Sequence, residues 1–423
     1  MGKKFSIEQA ASSTAIQSKP SILAKIFKNL VLSQFRKINH GCIILNEGNE
    51  NIIFGDQGSS LKAEVNVYSD EFYILAGSGG DLGIAEAYAA GYWDADDMVK
   101  LIQIVIKNQE VQKSLEGGLA KLISPINRYI HRSRRNTVSG SKENIVAHYD
   151  LSNEFFQTWL DKSMTYSCAI FEPEDLSLFD ASKEKLDRIC RKLNIQADDH
   201  VVEIGTGWGS FAVHAAKEYG CRVTTTTISN EQHAYVSDLI EKEDLKDKIT
   251  LLKNDYRELK GQYDKLVSIE MIEAVGYNFI QQFFQTCSDL LKPNGLMAIQ
   301  GITYHEQGFD NHLNSVDFIK KYIFPGSNLI SVNHVLSVIK NFTDLSLVHL
   351  EDITKYYAET LKLWREKYKE EMSKIKKMGY SDEFLRMWDY YFIYCEAGFR
   401  ERFIGDVQLV MAKPKNKNIQ INY

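Results

Sequence analysis

From about residue 144 onward, short runs of apolar and β-branched residues alternate with amphipathic stretches at regular spacing. The runs at 201–204, 222–226, 249–253, 265–269 and 296–301 have strand length, while 210–219, the stretch from Asn230 and 279–291 repeat apolar positions three and four apart, as helices do. Such alternation predicts a parallel, doubly wound α/β sheet with ligands at the carboxyl ends of its strands. Two helices precede the first strand, one carrying Phe155, Phe156 and Trp159 and one at 182–193. Residues 305–336, mostly helical with Phe324-Pro-Gly326 as a breaker, are too long for a plain connection and predict a lid. A charged helix from Tyr356, an aromatic helix through Trp388, Tyr390, Tyr391, Phe392 and Tyr394, and a last strand at 407–412 return the chain to the sheet.

Upstream the pattern differs. Ile22, Leu23, Ile26, Phe27, Leu30, Val31 and Phe35 recur at helical spacing among Lys25, Lys28, Arg36 and Lys37. This is an amphipathic basic helix, which either packs on a neighbouring domain or lies on an anionic membrane surface. Short strands such as 42–45 and 64–67 follow, then Phe72-Tyr-Ile-Leu75 and a helical run in which glycine-rich turn chemistry at Gly79-Gly-Asp opens a helix and Gly91-Tyr-Trp closes it. No titratable cluster with catalytic spacing appears there. The expected division is a mobile tail at 1–19, a small α+β auxiliary domain at 20–115, a basic linker at 116–143 with His131-Arg-Ser-Arg-Arg135, and a catalytic domain at 144–423. The linker is either a solvated charged segment or a clamp for phospholipid headgroups.

Composition narrows the class. With 423 residues, 44% hydrophobic and 25% charged, the chain is an ordinary globular protein of more than one domain. Its six cysteines are scattered without a C-x-x-C pair, which predicts neither a metal site nor a disulfide framework and suits a reducing cytoplasm. A net charge of −6 speaks against nucleic acid as a partner. No run of 18 apolar residues spans a membrane and the first twenty residues lack a secretory core, so any membrane association is expected to be peripheral.

The chemistry concentrates at Val201-Val-Glu-Ile-Gly-Thr-Gly-Trp-Gly209. Glycines at 205, 207 and 209 let backbone approach a ligand closely, and the amides of the following helix point back at it. The spacing is G-x-G-x-G, with Glu203 two residues before the first glycine, rather than the G-x-G-x-x-G of dinucleotide sites. That form is typical of S-adenosylmethionine (SAM) methyltransferases, although alone it also describes an ordinary tight turn.

Further motifs join it: Gly80-Asp-Leu-Gly83 through Trp93, His148-Tyr-Asp-Leu151, Met164 to Cys168, Glu273 in Ser268-Ile-Glu-Met-Ile-Glu-Ala-Val-Gly276, Gln300-Gly-Ile302, Tyr322-Ile-Phe-Pro-Gly326, and Cys395-Glu-Ala-Gly-Phe399 leading to Ile404-Gly-Asp-Val-Gln-Leu409. From about residue 40 to its end the chain thereby resembles the cyclopropane-fatty-acyl-phospholipid synthase family, related to the mycolic acid cyclopropane synthases. These SAM-dependent enzymes add a methylene across the double bond of an unsaturated acyl chain. The resemblance implies a Rossmann-like SAM-dependent methyltransferase domain with a helical lid. It implies that Tyr166, Ser167, Glu203, Gly205, Thr206, Gly207, Trp208 and Gly209 meet the cofactor's methionine end, Thr227, Ser229 and Gln232 its ribose, and Asp255, Tyr256 and Arg257 its adenine.

It also implies a bound bicarbonate as the base, held by Cys168, Glu273, Gln300, the backbone of Ile302, and Tyr357, with the Glu273 carboxyl kept protonated by that neighbour and by burial. Gln300 stands where some members have histidine; it can donate to an anion but cannot relay a proton. Cys395 matches the family's second cysteine and reads either as catalytic or as a small buried apolar residue. The implied partner is unsaturated phospholipid at the inner face of the membrane, and the implied assembly a homodimer. The alternative within the fold is a SAM-dependent C-methyltransferase giving methyl- or methylene-branched lipids. From another class, a SAM-binding protein without turnover would have no need of Cys168, Glu273 and Tyr357.

Overall fold

The computed structural model describes residues 22–109, 151–417 and 419–422. The expected tail at 1–19, the basic linker at 116–143 and the boundary at 144 fall outside them, so the division into domains is visible only through the units on either side.

The N-terminal unit runs α1 (Ile22–Phe35), β1 (Cys42–Glu47), β2 (Glu50–Gly55), β3 (Lys62–Val67), α2 (Glu71–Ala89), β4 (Trp93–Ala95) and α3 (Met98–Lys107). Its strands are ordered β2-β1-β3-β4, with β1 and β3 parallel and the other pairs antiparallel. Alternation fixes the register: Ala63, Val65 and Val67 face inward from β3. Phe72-Tyr-Ile-Leu75 forms the first turns of α2, and the turn chemistry at Gly79-Gly80 marks a break within that helix, where Gly80 takes φ 58°, ψ −137°. Helix α1 buries Phe27, Val31, Leu32 and Phe35 but leaves Ile22 81% and Ile26 58% exposed, with Leu23 and Leu30 beside them.

The larger unit runs α4 (Asn153–Trp159), α5 (Leu178–Lys192), β5 (His200–Ile204), α6 (Ser210–Glu218), β6 (Arg222–Thr226), α7 (Asn230–Lys242), β7 (Ile249–Leu252), β8 (Tyr263–Ile269), α8 (Ile280–Leu290), β9 (Leu291–Tyr304), α9 (Phe309–Asn314), α10 (Val332–Phe342), β10 (Ser346–Asp352), α11 (Thr354–Glu370), α12 (Met372–Lys377), α13 (Asp382–Arg400) and β11 (Ile404–Ala412). Its seven strands are ordered β10-β11-β9-β8-β5-β6-β7. The five from β5 to β9 are parallel, as the alternating pattern requires, and β11 pairs antiparallel with β9 and β10. Strand reversal on either side of β5 leaves a crevice at its carboxyl end, where the glycine turn stands. Helix α5 begins four residues ahead of its expected start because the Ser177 hydroxyl caps it, accepting from the Asp180 amide at 3.2 Å. Strand β10 was not foreseen: an edge strand with most of its residues half-exposed shows little apolar alternation.

The expected lid consists of α9 and a π-turn at Ile319–Ile323. It is tied to the N-terminal unit through Glu86 of α2, which accepts from Lys321 Nζ at 2.8 Å and from the Tyr322 hydroxyl. One aromatic core runs through both units, from Phe35, Trp93 and Tyr88 to Phe155, Trp364 and Trp388. Among the described residues no helix is long and apolar enough to cross a membrane.

Candidate active site

The loop after β5 forms the floor. Gly205, Gly207 and Gly209 take φ of 95°, 53° and 87°, a region that residues with a Cβ rarely enter. A Cβ at Gly205 would also stand 2.8 Å from Met271 Cγ, so the approach of the β8 loop demands glycine there. Glu203, buried on β5, accepts from Thr225 Oγ1 at 2.6 Å. Burial pushes its carboxyl up to about 7, against the opposing pull of Thr225 and Lys185. Thr206 Oγ1 is buried without a partner among the described residues. Trp208 donates to Asn153 Oδ1 at 2.9 Å and packs on Phe156.

Around this floor, Tyr166 donates to the Tyr391 hydroxyl at 3.0 Å, with its ring among Phe156, Trp159, Trp208, Phe324 and Trp364. Ser167 accepts from Lys185 Nζ at 2.7 Å. Thr227 donates to Gln232 Oε1 at 2.8 Å, which keeps the glutamine NH2 as a donor for a ligand, while Ser229 is engaged as the cap of α7. The Asp255 carboxylate grips Arg257 through Nε and Nη2 at 2.7 and 2.6 Å. Tyr256 reaches the cavity, but its ring is packed in the core, T-shaped against Phe283 at 5.4 Å and with the Arg257 guanidinium 5.3 Å from its centre.

Opposite lies a residue the sequence reading missed. Glu270 follows β8 directly with φ 47°. Its Oε1 accepts from the Cys168 amide and from Gln300 Nε2, both at 2.8 Å, and its Oε2 accepts from the Tyr357 hydroxyl at 2.5 Å. Two further carboxyls stand behind it. Glu273 Oε1 accepts from the Ile302 amide at 2.5 Å while Oε2 has no partner among the described residues, and burial first, then the charge of Glu270, pushes this carboxyl up to about 8. Asp406 is driven well above the usual carboxylate range by burial and by Glu270 and Glu273. Lys185, its ammonium destabilised by burial, faces the same group.

The foreseen residues thus gather, some in unexpected parts. Cys168 contributes its amide; its thiol points to the Ala169 and Ile353 carbonyls, and burial pushes it well up. Gln300 is fully buried behind Glu270, with its oxygen held by Gln408 Nε2 at 2.9 Å. Tyr357 stacks on Phe399 at 4.3 Å. Cys395 lines the cavity, but burial and then Asp317 push its thiol up, which makes it a neutral wall rather than a thiolate. Glu270, Asp406 and Lys185 are the additions. The sequence signal for Glu270 was its place at the carboxyl end of a parallel strand, three residues before Glu273.

These side chains fit SAM: a partnerless hydroxyl at Thr206, an acid at Glu203, a free amide donor at Gln232 and glycine backbone. They do not fit a second anion. The donors expected to hold bicarbonate, from Cys168, Gln300, Tyr357 and Ile302, are already turned onto the carboxyls of Glu270 and Glu273. Among the described residues no group of metal-ligating side chains occurs.

One cavity of about 730 Å³ joins this site to the N-terminal unit. Glu203, Gly205, Glu270 and Tyr357 line it, and so do Phe35, Leu75, Leu82, Leu101 and Ile102.

Comparison with known proteins agrees with this geometry. The tuberculostearic acid methyltransferase UfaA1 of Mycobacterium tuberculosis is 34% identical over 350 residues, 80% of each chain. The cyclopropane-fatty-acyl-phospholipid synthase of Escherichia coli is 31% identical over 369 residues, 86% of this chain and 91% of that one. The crystal structure of the mycolic acid cyclopropane synthase CmaA1 complexed with SAH and CTAB superposes with a TM-score of 0.61 at 28% identity, covering 64% of this chain and 98% of that one. The family model described as mycolic acid cyclopropane synthetase matches residues 137–409. The chain belongs to that family and is a SAM-dependent methyltransferase.

Proposed function

We propose that this enzyme adds one carbon from SAM to the double bond of an unsaturated acyl chain of a membrane phospholipid, forming a cyclopropane. The observation that carries the reading is the single cavity that runs from the SAM floor into apolar walls of the N-terminal unit, well beyond what a cofactor alone would contact. When bound, SAM supplies an electrophilic methyl on a sulfonium. An alkene is a feeble nucleophile, so the protein's part is to hold it against that methyl and to exclude water. Leu75, Leu82, Leu101 and Ile102 suit the acyl chain, and the rings of Tyr166, Tyr391 and Phe399 suit a developing cation.

The exposed Ile22, Leu23, Ile26 and Leu30 of α1, among Lys25, Lys28, Arg36 and Lys37, support docking at an anionic bilayer, from which the acyl chain would enter. A second reading, transfer that leaves a methyl or methylene branch, is favoured by the 34% identity to a tuberculostearic acid methyltransferase.

Incubation with SAM and vesicles of unsaturated phospholipid, followed by mass analysis of the fatty acids, separates these. A gain of CH2 with loss of the double bond supports the cyclopropane, and a retained double bond supports the branch. Unchanged fatty acids would reject both.

A further inference from the structure

We infer that Glu270 is the general base of this reaction, a side-chain carboxylate built into the slot that a borrowed anion would otherwise fill; the inference rests on the alkylation reading above. Three observations converge on it. The first is the donor set. Both oxygens of Glu270 are engaged, by the Cys168 amide, Gln300 Nε2 and the Tyr357 hydroxyl, an arrangement that holds an ionised carboxylate in place and leaves those donors no second anion to hold.

The second is the backbone. Glu270 sits at φ 47°, a conformation that a residue with a Cβ rarely adopts and that glycine adopts freely. A glutamate kept where glycine would be easier is a strained residue at a ligand-facing strand end, the setting in which strain accompanies function. The third is position. Glu270 lines the same cavity as Tyr166, Gly205, Ile302 and Tyr357, while the neighbouring acids Glu273 and Asp406 are both held towards their neutral forms. Of the three neighbouring carboxyls, Glu270 is the one whose two oxygens are both met by donors and which lines the cavity together with Tyr166 and Gly205.

The step balances without any further reagent. Transfer of the methyl to one alkene carbon uses the π pair, converts the sulfonium to a thioether and leaves a cation at the other carbon. Glu270 then takes one proton from the added methyl, the released C–H pair closes the ring, and Glu270 is left as the neutral acid. Loss of a proton from a neighbouring carbon to the same oxygen would give the branched alkene instead.

The test compares wild type with Glu270→Gly and Glu270→Gln in bicarbonate-depleted buffer. Wild-type turnover should be the same with and without added bicarbonate. Glu270→Gly should lose about 100-fold or more, the scale of general-base catalysis, with SAM affinity retained by calorimetry. Added bicarbonate or formate should restore part of it, whereas Glu270→Gln should not be rescued because its amide still fills the slot. Glycine suits the backbone here, so the variant adds no backbone strain to the fold. A second readout needs no turnover: bicarbonate should raise the thermal midpoint of Glu270→Gly and leave that of wild type unmoved. Wild-type turnover that falls when bicarbonate is removed, a wild-type midpoint raised by bicarbonate, or a Glu270→Gly enzyme that works without it would each overturn the inference. Wild type inert towards every unsaturated lipid would instead reject the alkylation reading, and the thermal arm would still decide whether Glu270 fills the anion slot.

Discussion

Tyr88 and Asp389 stand 301 positions apart in the chain, and the Tyr88 hydroxyl donates to Asp389 Oδ2 at 2.9 Å. The bond joins α2 of the N-terminal unit to the aromatic helix α13, and Arg365 completes it, reaching Oδ1 through Nε at 2.7 Å. Asp389 is buried, so Asp389→Ala would leave the largely buried Arg365 guanidinium without the carboxylate it pairs with. The expected cost is about 3 kcal/mol, read in denaturant unfolding. Tyr88→Phe keeps the ring and removes one bond to a charged acceptor, for about 1.5 kcal/mol. Equal costs for the two variants would contradict this assignment.

Glu273 gives a pH signature. Its carboxyl is raised to about 8 in the folded protein, against an ordinary value of 4.5. Between those values the folded state binds a proton that the unfolded chain releases, so its contribution to stability is full below pH about 4.5 and is lost as pH rises to about 8. Glu273→Gln mimics the neutral acid at all pH. The variant should therefore gain on wild type progressively across that window and level off above it, in unfolding midpoints measured over pH. A constant difference across the window would show that Glu273 titrates normally.

The parallel sheet is legible because β5, β6 and β7 are short β-prone runs separated by helical periods, and because three alternate glycines at Gly205, Gly207 and Gly209 take positive φ. The cofactor floor came with them. The far side of the site was less so. Glu270 belongs to no pattern of its own: its meaning comes from Cys168, Gln300 and Tyr357, which lie 102, 30 and 87 positions away. The resemblance implies ligand contacts at Gln300 and Tyr256; packing buries Gln300 behind Glu270, while Tyr256 reaches the cavity with its ring against Phe283 and Arg257. Strand β10 hides for a simpler reason, since an edge strand with one partner has little need of buried residues.

The N-terminal unit should set acyl-chain length. Leu75 of α2 lines the cavity together with Leu101 and Ile102 of α3. Leu75→Trp would fill part of that volume, with SAM held elsewhere. Turnover of long acyl chains should fall by about tenfold, the effect of 1.4 kcal/mol, while shorter chains keep theirs. Competition between mixed-chain vesicles reads this directly. A uniform loss across lengths would place the acyl chain elsewhere.

The last prediction concerns Glu203 and the charge of SAM. In the free protein burial holds this carboxyl up to about 7, so near neutral pH it is partly protonated. A bound sulfonium and ammonium favour the ionised form, which lowers the carboxyl towards its ordinary range and expels the proton. SAM affinity should therefore strengthen as pH rises towards 7 and become flat above it, once the free protein has already released that proton. Calorimetry in two buffers of different ionisation enthalpy should count the proton released at pH 6 and find almost none at pH 8.5. Glu203→Gln cannot exchange that proton, so its binding should be weaker and independent of pH over the same range. A wild-type affinity that does not change between pH 6 and 8.5 would mean that Glu203 does not sense the cofactor's charge.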